Sequence, residues 1–153
     1  MTRTVSPRQV VAAVLMLGLT CLAGCGGTYD SSVQGAVTLD GNRLTRGTVA
    51  YHPVAGGPAA YARIDDDGTY AVRTGRETGL PSGEYQVTVV ANEPPAKRDP
   101  AAGPPPPGKP IAPIWYRTKD TSGLRYTIEP GNNEINIELS SAVPAGWSPY
   151  GQR

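Results

Sequence analysis

From residue 33 onward, apolar and polar positions alternate in short runs. Val33, Gly35, Val37 and Leu39 fall on one face of a strand, with Gln34, Ala36, Thr38 and Asp40 on the other. Asp40-Gly41-Asn42 is a tight-turn signal. Thr48 to Pro53 alternates again, with Val49 and Tyr51 together and His52 opposite, facing solvent. Gly56-Gly57-Pro58 breaks the run. Ala60, Ala62 and Ile64 line the next strand, Asp65-Asp66-Asp67-Gly68 turns the chain, and Tyr70 and Val72 return as the second arm of a hairpin. Glu84 to Ala91 is the clearest strand: Tyr85, Val87, Val89 and Ala91 point inward, which turns Thr88 outward. Leu124, Tyr126 and Ile128 form another strand. Pro130-Gly131-Asn132-Asn133 turns, and Ile135, Ile137 and Leu139 close the pattern.

This spacing predicts an all-β chain of about seven short strands with turns every 8–12 residues, and no helix after residue 24. Such a pattern is that of a single antiparallel β-sandwich, each strand burying one face against the other sheet. The alternation stops between residues 94 and 113, where 9 of 20 positions are proline. Proline has no N–H to give to a ladder, so this stretch reads as a polyproline-like loop without ladder bonds, with order resuming at Ile114. Residues 141–153 read as a flexible tail.

Composition agrees with a turn-rich β-protein: of 153 residues, 19 are glycine and 16 proline, and tyrosine (8) replaces an absent phenylalanine. The first 24 residues stand apart. Arg3 and Arg8 precede the apolar run VVAAVLMLGL, Val10 to Leu19. That run is shorter than the roughly 20 residues a membrane span needs, and it fits the apolar region of a secretory signal. It ends in Leu22-Ala23-Gly24-Cys25, which resembles the bacterial lipoprotein signal, where cleavage precedes a cysteine that is acylated. On that resemblance, residues 1–24 are a signal peptide cut between Gly24 and Cys25. Cys25 carries the lipid, residues 25–32 (with GGTYDSS after the cysteine) are a tether, and residues 33–140 form the domain. Cys21 leaves with the signal, so the two cysteines of the chain form neither a disulfide nor half a metal site in the mature protein.

Two of the 14 basic residues lie in this leader, which leaves 12 against 13 acidic residues, a net charge of −1. A chain so balanced offers neither the basic field that nucleic acid requires nor a polybasic membrane patch. Attachment to a membrane would come from acyl chains alone, at about 0.8 kcal/mol per buried methylene. The expected location is the bacterial cell envelope, lipid-anchored and facing the periplasm or the cell surface.

Several stretches resemble one family. VQGAVTLDGNRLTRGTVAYHP, IDDDGTYAVRT and GLPSGEYQVTVVA are similar, in order and spacing, to carboxypeptidase-regulatory-like (transthyretin-like) domains. TSGLRYTIEPGNNEINIEL resembles the closing hairpin of small lipoproteins of planctomycete-type bacteria. The resemblance spans residues 33–140 apart from the proline-rich loop. It implies a transthyretin-like sandwich and a non-catalytic role.

Candidate chemistry is sparse. Asp65-Asp66-Asp67-Gly68 fails as an EF-hand, because Arg63 and Thr74 stand where the terminal ligands belong. His52 is the only histidine and has no nucleophile or orienting group in its local sequence. Lys97, Lys109 and Lys119 lie in loops or before a strand, where they cannot form a strand-borne cross-link. No catalytic residue, metal site or cofactor is therefore expected. Trp115, Tyr116, Trp147 and Tyr150 are the candidate ligand-binding residues, as flat surfaces for stacking a sugar. Two functions stay open: a structural or interaction module with an envelope protein or polysaccharide partner, or a carbohydrate- or small-ligand-binding lipoprotein.

Overall fold

The computed structural model describes residues 28–96 and 106–148. These residues form a mostly antiparallel β-structure of eleven strands rather than seven: β1 (Ser31–Leu39), β2 (Asn42–Arg43), β3 (Gly47–Pro53), β4 (Ala60–Ile64), β5 (Thr69–Ala71), β6 (Arg73–Thr74), β7 (Glu77–Thr78), β8 (Gly83–Val90), β9 (Leu124–Ile128), β10 (Gly131–Glu134) and β11 (Ile137–Leu139). Several of the additional strands are two-residue ladders that a periodicity of two cannot register.

The hydrogen-bonded path runs β10-β1-β5-β4-β3-β8-β9. Its two ends, β9 and β10, are neighbours in sequence, joined only by Glu129 and Pro130. A sheet whose first and last strands are covalently adjacent must bend round, and it curls into a half-barrel. The inward residues of every alternating strand then meet in one core: Val33, Val37, Val49, Tyr51, Ile64, Tyr70, Val72, Val87, Val89, Ile128 and Ile137 are all buried. The inward alternation read from β1, β3, β4 and β8 agrees with this burial.

Strand β1 is the centre of the arrangement. One of its edges pairs antiparallel with β5 and, through the Asp40-Gly41 turn, with β2. Both turn residues have positive φ (50° and 82°), as a two-residue hairpin of this hand requires. The other edge pairs in parallel with β10 and then β11, always one hundred residues ahead: Ser31 with Gly131, Val37 with Ile137. The parallel ladder is broken opposite Gly35 and Ala36. There the Ala36 N–H donates to the Asn136 side-chain oxygen (3.0 Å) instead of to backbone.

Three expectations about the second half of the chain are corrected. First, helix is present: Ile114–Arg117 is a 3-10 turn, and Lys119–Ser122 is a short helix, α1, ended by Gly123 at φ 67°. Second, the C-terminal end of the proline-rich stretch joins the ladder. Ala91 O accepts from Ile111 N (2.9 Å), and Lys109 O accepts from Glu93 N (2.8 Å). Pro110 sits between those bonds opposite Asn92, at a position where no N–H is asked for. Third, Thr88 is only 5% exposed. The alternation assigned it to the outer face correctly, but α1 and the 3-10 turn lie against β8 and cover that face.

Candidate functional site

The domain begins before residue 33. Thr28 Oγ1 donates to Glu77 Oε2 (3.1 Å), and the Asp30 carboxylate accepts from Ser82 N (2.8 Å) and Ser82 Oγ (2.6 Å). The Ser82 bonds, backbone and hydroxyl, hold the Asp30 carboxyl below its ordinary range. This clasp fastens the first described residues to the Pro81-Ser82-Gly83 turn that precedes β8. Gly24 and Cys25, expected as the cleavage and lipid site, lie outside the described residues, as does Tyr150.

The aromatic candidates do not form an exposed platform. Trp115 and Tyr116 are 7% and 9% exposed and belong to the core. Tyr116 reaches across to β11, where its hydroxyl accepts from Ser140 N (3.1 Å), and so joins the β8 side of the sheet to the β1 side. Trp147 packs edge-on against Trp115, with ring centroids 5.1 Å apart, and is partly buried on the core. The segment expected to be a loose tail thus returns to the body as far as Trp147. Aromatics next to glycine and proline look alike in sequence whether they stack on a ligand or plug a gap in a curled sheet, and here the gap claims them.

His52 is the residue whose surroundings the sequence missed most. It is half-buried, and its Nε2 lies 3.2 Å from the Thr88 hydroxyl, diagonally across the β3–β8 pair. The two side chains line an open groove of about 530 Å³ with Pro53, Gly56, Arg117 and Lys119. Arg117 is held in place by its Nη2 bond to Asn92 Oδ1 (2.6 Å), while its Nε is buried without a hydrogen-bond partner among the described residues. Asp120 lines the same groove and offsets part of its positive charge. Among the described residues no carboxylate hydrogen-bonds the imidazole, so a His–Thr pair stands here without the third group that would orient the base. Among the described residues there is also no cluster of three or more His, Cys, Asp or Glu that could hold a metal ion.

The cover over Thr88 makes a direct prediction. Thr88→Lys should cost more than about 2 kcal/mol, because it forces a cation under α1. Val90→Lys, on the same face of β8 but at an exposed position, should be mild. Urea midpoints measure both, and equal effects would show that the outer face of β8 is open.

At the other end of the chemistry, the acidic turn is a turn. Asp67 Oδ1 accepts from Thr69 N (3.0 Å) and Thr69 Oγ1 (2.7 Å), and Gly68 takes φ 82°. Within the core runs a tyrosine chain: Tyr51 OH lies 2.7 Å from Tyr70 OH, and Tyr70 OH donates to Ile135 O (2.7 Å). No protein-family model matches the chain, and no curated protein is significantly similar to it.

Proposed function

We propose that this is a lipid-anchored envelope protein whose β-domain is a non-catalytic structural or protein-interaction module. The observation that carries the reading is the N-terminal pattern: two arginines, the ten-residue apolar run and Leu22-Ala23-Gly24-Cys25. The short distance between Cys25 and the first clasped residue, Thr28, supports it, since a lipidated terminus needs no more chain than this to hold a domain at a surface. The motifs that resemble transthyretin-like domains support the finer reading of the curled sheet as a member of that sandwich class. In the proposed mature form, Cys25 is the N-terminus and the only cysteine, and the envelope partner is a protein or a polysaccharide.

Metabolic labelling with a fatty-acid probe tests the anchor. The wild-type chain should take up label and lose about 24 residues on processing, counted from the position of Cys25. Cys25→Ala should remain unlabelled and unprocessed, whereas Cys21→Ala should behave as wild type. Label retained on Cys25→Ala would overturn the proposal.

A further inference from the structure

We infer that the end of the domain formed by the Val54–Ala59 loop and the Pro81-Ser82-Gly83 turn rests on the lipid surface itself. The inference depends on Cys25 being the lipidated residue, and it adds which face of the domain meets the membrane.

Three observations converge. The first is length. Cys25 and Thr28 are three Cα steps apart, which is at most about 11 Å. Thr28 is bonded to Glu77, and Asp30 is locked to Ser82 by two hydrogen bonds. An acyl chain on Cys25 therefore draws this end of the half-barrel to the headgroups. The far end stands off by the length of β1, whose nine residues span about 26 Å.

The second is the chemistry of that end. Val54 is 50% exposed, and Ala55, Pro58 and Pro81 beside it are exposed too. Ala55, Pro58 and Pro81, together with Pro53, line a small cavity of about 120 Å³ next to the clasped turn. Val54 N donates to Glu84 O (2.9 Å), so the loop is fixed to the root of β8. An exposed apolar surface is costly in water, and the headgroup–acyl boundary removes part of it from water at about 25 cal/mol per Å².

The third is charge. Arg117 and Lys119 border the loop at Gly56 with Asp120 among them, Arg125 stands with Glu84 beside Val54, and Arg76 is next to Glu77 in the chain. Each cation at this end thus has a carboxylate near it, and none forms a purely basic patch to seek anionic lipid. The contact is apolar and should hold its strength when salt is raised.

The test uses the mature, lipidated chain in phosphatidylethanolamine–phosphatidylglycerol vesicles. With Cys25 acylated, a single introduced thiol can be labelled with an environment-sensitive fluorophore. Val54→Cys marks the near end. Asn42→Cys, exposed and paired with Leu39 at the far end of β1, marks the other. Brominated acyl chains should quench the Val54→Cys label severalfold more than the Asn42→Cys label, at low and at high salt. Equal quenching of both labels on protein that floats with the vesicles would overturn the inference and leave the anchor standing. Mass spectrometry showing no lipid on Cys25 would overturn both.

Discussion

Gly35→Ala is expected to destabilise the domain by about 3 kcal/mol, a large effect for one methyl group. A Cβ at position 35 would collide with the backbone carbonyl of Ile135 and approach its carbon to 2.6 Å. That carbonyl has nowhere else to go. Ile135 N donates to Gln34 O (2.8 Å), its carbonyl receives the Tyr70 hydroxyl (2.7 Å), and the flanking β10 and β11 are both paired to β1. Relieving the clash means pulling the β10–β11 junction off β1, which also breaks the Tyr70 bond. Tyr70→Phe alone should cost about 1–2 kcal/mol, as it withdraws the donor from Ile135 O and the partner from Tyr51. The double variant should lose less than the sum, because both changes undo the same contact. Urea unfolding followed by tryptophan fluorescence reads all three. A Gly35→Ala protein within about 0.5 kcal/mol of wild type would mean that Ile135 is not seated on β1.

Raising the pH from 9 to 11 should remove roughly 3 kcal/mol through Tyr51 and Tyr70 alone. Burial raises both phenols far above their ordinary 10.0; for Tyr51 the neighbouring Tyr70 adds to this, and for Tyr70 the Tyr51 hydrogen bond partly offsets it. The unfolded chain releases these two protons near pH 10, while the folded chain keeps them. The unfolded state then binds fewer protons, so stability is intact below pH 10 and falls at about 1.4 kcal/mol per unit for each tyrosine above it. Tyr85 and Tyr126 are raised in the same direction, first by burial, and add to the loss. Tyr51→Phe should lower stability at pH 7 by removing a hydrogen bond, yet lose less than wild type between pH 9 and 11. Identical alkaline losses in the two proteins would show that the Tyr51 hydroxyl titrates normally and is not enclosed.

Much of the strand content was readable because burial repeats every second residue wherever a strand has one face on the core. Val87 and Val89 on β8, and Ala60, Ala62 and Ile64 on β4, follow that rule and are buried as the alternation requires. The turns were readable for a different reason: Asp40-Gly41 and Asp67-Gly68 need positive φ, and few residues supply it. The candidate site was less readable. The aromatics were found as a group, but their direction was not, since Trp115 and Tyr116 turn inward to fill the space between β8 and β11.

Local sequence by itself determined the inner faces of the main strands, the hairpin turns and the N-terminal pattern that resembles a lipoprotein signal, because each depends on residues a few positions apart. Only the tertiary structure decided what covers the outer face. His52 and Thr88 alternate to the outside of their strands, yet they are half-buried and buried, because α1, which begins 31 residues beyond Thr88 and 67 beyond His52, packs against β8 and lines the groove the two share. It also decided the role of Gly35, which reads as an ordinary small residue in a strand until Ile135, one hundred positions away, takes the space its missing side chain leaves. Pairing across such separations depends on the path of the whole sheet, and the path is set by β9 and β10 being forced to opposite ends of it while joined by two residues.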